Sequence, residues 1–161
     1  TGGASGSAPT GASDPAADPF APVVPDARGA ARVLLDRMTK VRRVTDSELD
    51  EIAQRLARLG DDGLEVARYA LAQSEAPMIT CGARALLEGG TGADADLVVR
   101  RLRGSIPRGA APVVLDELLE LDPTRGTNEL LVDLLAHDSG QVRRSARAAL
   151  SAGLTRSSSK P

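Results

Sequence analysis

The sequence predicts an all-α fold in which about four antiparallel helix pairs stack as a solenoid, preceded by a disordered N-terminal tether. Apolar residues recur at three- and four-residue spacing from residue 28 to about 152, and no stretch shows the strict alternation of a strand. The chain contains one Phe, one Tyr and no Trp. Its core must therefore consist of Leu, Val, Ile and Ala, and the many alanines allow helices to approach closely.

A period of about 31 residues is the strongest feature of this pattern. Four leucines are separated by steps of 31, 31 and 32 residues, and each follows another apolar residue by four positions. These positions are Leu56, Leu87, Leu118 and Leu150, with Ile52, Ala83, Val114 and Ala146 before them. The partner helices repeat the step at Leu71, Leu102 and Leu134, after Ala67, Val98 and Leu130. A single helix pair cannot bury such faces alone, whereas stacked pairs bury them in one continuous core.

The first half of this region contains four predicted helices. They span 28–43, 46–59 and 62–73, and the fourth follows Pro77 and ends at Gly89-Gly90. Thr45 and Glu48 have the spacing of a capping box at the start of the second helix. The residues expected to face inward in the first two helices are Val33, Leu34, Met38, Val41, Leu49, Ile52, Ala53, Leu56 and Leu59.

The second half contains four more, at 94–103, 108–121, 127–136 and 139–151. Asp94 or Asp96 is expected to lead the fifth helix. Pro112 requires that the sixth helix either begin near it or bend there. The domain accordingly spans 28–152, and residues 153–161 are expected to form a disordered tail.

Residues 1–27, here called the N-terminal segment, are rich in Gly, Ala, Ser and Pro, with Asp as the only charged residue type. Such a composition buries too little apolar surface to offset the entropy of ordering, so we expect a flexible linker. Phe20, Val23 and Val24 form a small apolar island within it. This island either rests on the domain or serves as a short docking motif.

The last repeat resembles the HEAT family of helical repeats. The resemblance lies in Asp138 at the start of the final helix, in Val142-Arg143, and in the spaced Ala and Leu that follow up to Leu150. The segment 75–87 is a weaker copy, with Thr80 where the family prefers Arg. The resemblance implies that the second helix of each pair lines a concave recognition face. The residues it assigns to that face are Arg55, Arg84, Asp116, Glu120, Arg143 and Arg147.

Residue types that carry chemistry are sparse, and we expect no cofactor and no metal. His137 stands alone at the end of the seventh helix, where it can interact with the helix C-terminus or, less simply, form an acid–base pair with Asp133 or Asp138. The carboxylates at 46–51 and 116–122 fit helix starts and solvated faces. The glycines at 89–92 lack the strand and lysine of a phosphate loop. Cys81, the only cysteine, is expected to be a buried apolar residue.

The predicted function is that of a non-catalytic scaffold or adaptor whose partner is another protein. Two alternatives stay open: a HEAT-like enzyme or enzyme subunit, lyase-like or nucleic-acid-processing, and a structural segment of a larger or envelope protein. The net charge of −2 and the shortage of aromatics argue against a nucleic-acid partner. No apolar run is long enough to cross a membrane. The Ala-, Arg- and Leu-rich, Lys-poor usage is associated with GC-rich bacterial genomes. It does not determine the location, for which the bacterial cytoplasm and, if the linker follows a removed export signal, the cell envelope both stay open.

Overall fold

The computed structural model describes residues 28–40 and 45–158, and these residues form eight α-helices and one short 3-10 helix, with no strand among them. The predicted all-α class is therefore confirmed. In chain order the α-helices are α1 (Gly29–Lys40), α2 (Asp46–Arg58), α3 (Asp61–Leu71), α4 (Ala76–Gly89), α5 (Gly92–Arg103), α6 (Ala111–Leu121), α7 (Asn128–Leu134) and α8 (Gly140–Ser158). The 3-10 helix, Pro123–Arg125, lies between α6 and α7.

Several predicted helix ends are confirmed. The Thr45 side chain accepts a hydrogen bond from the backbone amide of Glu48, and the Glu48 carboxylate accepts one from the amide of Thr45. This reciprocal arrangement is the predicted capping box. Gly60 follows α2 with a positive φ of 69°, a conformation that favours glycine. Helix α6 begins at Ala111, so Pro112 occupies its first turn and does not bend it.

Other boundaries differ from the prediction. Helix α5 begins at Gly92 because Thr91, not Asp94 or Asp96, is its cap, and Asp94 is the third helical residue of a second capping box. Helix α7 is shorter than predicted, ending at Leu134. Helix α8 continues to Ser158, beyond the predicted end at 151 and into the segment assigned to a tail. No proline interrupts this stretch, and a single helical glycine costs only about 1 kcal/mol.

Helix α1 is rotated relative to the prediction. Val33 was expected to face inward but is 65% exposed, and the buried positions are Ala31, Leu34, Leu35 and Met38. These four follow the i, i+3, i+4, i+7 spacing of one helical face. Val41 lies outside the described residues. Helix α1 packs on α2 and α3, and Val33 lies outside the face that these contacts bury.

The contacts between helices follow a regular order. Odd-numbered helices contact one another in series, α1 with α3, α3 with α5, and α5 with α7. Even-numbered helices do the same, α2 with α4, α4 with α6, and α6 with α8. Within each predicted helix pair the two helices also touch: α1 with α2, α3 with α4, α5 with α6, and α7 with α8. Helix α4 lies among four neighbours, α2, α3, α5 and α6.

The predicted columns of apolar residues are largely buried. The odd-helix column, Ala67, Leu71, Val98, Leu102, Leu130 and Leu134, is buried throughout. In the even helices Leu56 and Leu118 are fully buried, as are the apolar residues four positions before each column leucine. Leu87 and Leu150 are half-buried and pack against the same core, and Leu59, at the end of α2, is 38% exposed. The 31-residue step therefore identifies most of the core correctly.

Candidate binding surface

All six residues predicted to form a recognition face lie on even-numbered helices. Arg55 is on α2, Arg84 on α4, Asp116 and Glu120 on α6, and the pair Arg143 and Arg147 on α8. Arg84 and Arg143 are half-buried, and the other four are exposed. Among the described residues, no ion pair or hydrogen bond between side chains joins one of the six to another. We call the exposed and half-exposed side chains of α2, α4, α6 and α8 the even-helix face.

Arg84 connects three helices of this face. Its Nε donates a hydrogen bond to the Glu117 carboxylate on α6, and its Nη1 lies 2.8 Å from Oδ1 of Asp50 on α2. The Arg84 and Glu117 side chains are only 15% and 18% exposed, whereas Asp50 is 57% exposed. Burial by itself lowers the pKa of Arg84, but the attraction of Glu117 and Asp50 outweighs this and raises the pKa above its ordinary value. The cluster of Asp50, Arg84 and Glu117 thus holds α2, α4 and α6 together.

Arg143 closes the turn between α7 and α8. Its Nη1 donates to the backbone carbonyl oxygens of His137 and Asp138. The cap of α8 is Ser139, whose hydroxyl accepts from the amide of Val142, and not Asp138 as the family resemblance implied. The amide of Ser139 in turn donates to Nδ1 of His137. Ser139 immediately precedes the first residue of α8, so its hydroxyl reaches an amide of the first turn, whereas Asp138 lies one residue further from the helix.

His137 makes local hydrogen bonds between α7 and α8: its backbone contacts the end of α7, and its side chain contacts the turn before α8. Its backbone amide donates to the carbonyl of Leu134, and its Nδ1 accepts the bond from Ser139. Asp133, proposed as an acid–base partner, lies 3.3 Å from Arg103 instead.

The exposed charges of α6 and α8 have opposite signs. Helix α6 contains Asp116, Glu117 and Glu120 and no basic residue, whereas α8 contains only arginines among its charged residues. Partial burial raises the pKa of Asp116 above its ordinary value. Since α6 and α8 are neighbours, an acidic and a basic strip lie side by side at the C-terminal end of the even-helix face.

Further ion pairs join odd-numbered helices and were not predicted from the sequence. Arg68 of α3 donates two hydrogen bonds to the carboxylate of Asp94 in α5, at 2.7 and 3.1 Å. Arg103 of α5 lies 3.7 Å from Glu129 and 3.3 Å from Asp133 of α7. The paired residues are 26 to 30 positions apart in the sequence, close to the predicted period of about 31 residues.

Asp94 is buried, and its carboxylate accepts hydrogen bonds from both Arg68 and Thr91. Burial raises the pKa of this carboxyl, but the hydrogen bonds from Arg68 and from the amide of Thr91 outweigh burial, so the pKa lies below its ordinary value. A carboxyl with a lower pKa in the folded than in the unfolded chain stabilises the fold above its unfolded pKa. That stabilisation disappears as the pH falls through the folded pKa.

We therefore expect the free energy of unfolding to fall as the pH drops below about 4, and to fall less in Asp94→Asn. Urea denaturation at pH 6 and pH 3 measures the difference, with the exposed Asp138→Asn as the control. Equal pH dependence in wild type and Asp94→Asn would contradict the role assigned to this carboxyl.

Two further features of the sequence are its carboxylate clusters and the glycines at 89–92. In the described part of the chain, no group of three or more His, Cys, Asp or Glu side chains could hold a metal ion. Gly89 ends α4 and Gly90 follows as its C-cap, before the capping box of Thr91 and Asp94. These glycines form the turn between two helices.

Cys81 is fully buried in α4, as predicted, and burial raises the pKa of its thiol to about 12. Because the thiolate is the reactive form, we expect a thiol reagent at pH 8 to modify the folded chain more than about a hundredfold slower than the chain in 8 M urea. Absorbance of the released thiol-reagent product measures both rates. Rapid modification of the folded protein would show that α4 is accessible.

A shallow groove between α1 and α2 is a second feature that sequence reasoning missed. Its volume is about 350 Å³, and its lining residues are Ala30, Val33, Leu34, Arg55, Arg58 and Leu59. Val33 was assigned to the core by its spacing, so the sequence indicated apolar surface here but not its exposure.

Comparison of the chain with protein-family models, with curated proteins and with solved structures gave no match. Within the part of the chain that the structure describes, no helix has both the length and the apolar character needed to span a bilayer.

Proposed function

We propose that this chain is a short α-solenoid of the HEAT type that acts as a non-catalytic scaffold and binds a protein partner on its even-helix face. The observation that carries the proposal is the serial order of helix contacts, in which α2, α4, α6 and α8 touch in turn and α1, α3, α5 and α7 do likewise. This order is expected of helix pairs stacked side by side, where each repeat contacts its neighbours. One set of helices then forms a single broad surface.

The Arg84 cluster supports the choice of the even-helix face. It fixes α2, α4 and α6 relative to one another through a nearly buried guanidinium. A surface that is rigid before binding loses less conformational entropy on association than a mobile one. Arg84 therefore supports the face and does not itself contact the partner, which revises its role relative to the other five predicted residues.

The charge of α6 and α8 defines the chemistry of the partner. Asp116 and Glu120 are exposed on α6, and Arg144 and Arg147 are exposed on α8. A partner with a basic group next to an acidic group would match both strips. Such complementarity increases the association rate and selects among partners.

Site-specific photo-crosslinking tests this face. A photoreactive amino acid would replace Arg147 or Glu120 on the even-helix face, or Arg100 on the exposed surface of α5 as the matched control. In extracts of cells that naturally contain the protein, we expect a discrete crosslinked band from the first two positions and none from the third.

Charge reversal then tests specificity with the partner so identified. Arg144→Glu with Arg147→Glu should weaken binding about tenfold or more, and Arg100→Glu should leave it unchanged. Arg143 is left intact because its guanidinium closes the α7–α8 turn. Crosslinks that arise only from Arg100, or binding unaffected by reversal on α8, would exclude this face as the recognition surface.

A further inference from the structure

The groove between α1 and α2, defined above, exposes apolar surface at the first helix pair. Val33 is 65% exposed and Leu59 is 38% exposed, and the two side chains line the same groove with Ala30 and Leu34. Leu34 lies at its base and is itself buried. Apolar side chains that stay in contact with water forgo part of the free energy that full burial would release.

The described chain begins at the edge of this groove. Arg28 and Gly29 line an adjoining recess, and Ala30 and Leu59 are shared between the recess and the groove. Whatever precedes Arg28 therefore leaves the domain beside Leu59. A chain reaches at most about 3.3–3.6 Å per residue, so Val24 lies within about 14 Å of Arg28 and Phe20 within about 28 Å.

The N-terminal segment has the composition that this groove requires. Phe20, Val23 and Val24 are its only large apolar residues. Asp14, Asp18 and Asp26 are its only charged side chains. The groove is apolar along its floor, and two arginines, Arg55 and Arg58, border it. The apolar residues of the N-terminal segment thus match the apolar floor of the groove, and its aspartates match the arginines at the border.

We propose that residues 20–24 bind in the α1–α2 groove of the same molecule, with Phe20 and Val23 against Val33 and Leu59. Asp18 and Asp26, on either side of the bound residues, face Arg55 and Arg58. Arg55 already pairs with Glu51, but both side chains are about half exposed, and exposed i,i+4 pairs are weak enough to exchange partners.

The short connection makes this intramolecular binding effective. A ligand joined by a short tether has an effective concentration on the order of millimolar at its site. The segment can therefore occupy the groove within one chain even where the same apolar contact is too weak to hold two separate molecules together. The same binding accounts for Val33, because its position in the sequence pattern indicates burial and the segment covers it.

The sole phenylalanine gives a direct test in the full chain. In NMR spectra the ring of Phe20 is unambiguous, and we expect nuclear Overhauser effects (NOEs) from it to the methyl groups of Val33 and Leu59. A mixture of isotope-labelled and unlabelled chains separates contacts within a molecule from those between two copies. Random-coil shifts for the Phe20 ring with no such effects would overturn the proposal, as would effects seen only between copies.

Matched surface variants complete the test. Val33→Ser should reduce the ratio of bound to free segment about tenfold and move the Phe20 shifts towards the free values. Val132→Ser is the control, since Val132 is 55% exposed on α7. Arg58→Glu should also shift the ratio towards the free state, more strongly at low salt. Both valines are exposed, so neither change unfolds the domain, and identical Phe20 shifts in the two valine variants would contradict the proposal.

Discussion

Gly82→Ala is expected to lower the free energy of unfolding by about 2 kcal/mol, although alanine is the better helix former. Gly82 lies in α4 where this helix crosses α3. A Cβ at this position would be 2.5 Å from the carbonyl oxygen of Ala67 and 2.6 Å from the amide nitrogen of Leu71. Both atoms belong to the backbone of α3, so the two helices must separate to admit a methyl group.

Gly153→Ala is the matched control for this substitution. Gly153 lies in α8, and a Cβ there would meet no atom within 4 Å. The change should therefore leave stability unchanged or raise it by up to about 1 kcal/mol, the ordinary gain in helix propensity. Urea denaturation followed by helical circular dichroism measures both. A Gly82→Ala variant as stable as Gly153→Ala would show that α3 and α4 are not in close contact.

Arg84→Met is expected to have the second large effect, a loss of about 2–3 kcal/mol. The substitution preserves the aliphatic stem but leaves Glu117 half-buried without its partner, and an unpaired charge in such a site is costly. The loss is smaller than for a fully buried ion pair because Asp50 remains largely exposed.

A double-mutant cycle with Glu117→Gln separates the ion pair from the loss of packing. If Arg84 stabilises α4 against α6 through this carboxylate, the two substitutions together should cost at least about 1 kcal/mol less than the sum of the single effects. Arg55→Met, on the exposed side of α2, serves as the comparison and should change stability by less than about 0.5 kcal/mol. Strict additivity of the Arg84 and Glu117 effects would contradict the cluster.

Local sequence signals predicted the helices well because they act within a few residues. The capping box of Thr45 and Glu48, the proline at the start of α6 and the glycine after α2 each satisfy backbone requirements nearby. The 31-residue step identified most of the buried columns because apolar residues at regular helical spacing lie on the buried faces of the helices. These features needed no knowledge of which helices touch.

The properties that were missed depend on contacts between distant residues. In the sequence Arg84 resembles a surface residue, because its partner Glu117 is 33 positions away and their contact depends on how the helices pack. In the sequence Gly82 is simply a residue of low helix propensity. Only the packed structure shows that the backbone of α3 leaves no room for a side chain there. Val33 fits the apolar pattern, but burial also requires a neighbour on the outer side of the first helix. All six predicted site residues do lie on even-numbered helices, but their spacing in the sequence did not indicate which of them pair with neighbouring side chains or backbone.

The stacking of helix pairs is tested most directly by removing the last pair. A chain ending at residue 126 lacks α7 and α8 but keeps α1–α6, with roughly three quarters of the helical residues. In a stack each pair contacts only its neighbours, so the remaining pairs keep their structure. We expect this chain to be monomeric, to retain helical circular dichroism in proportion to its length, and to unfold cooperatively at a lower urea concentration. Loss of most of the helical signal would show instead that the helices share a single common centre.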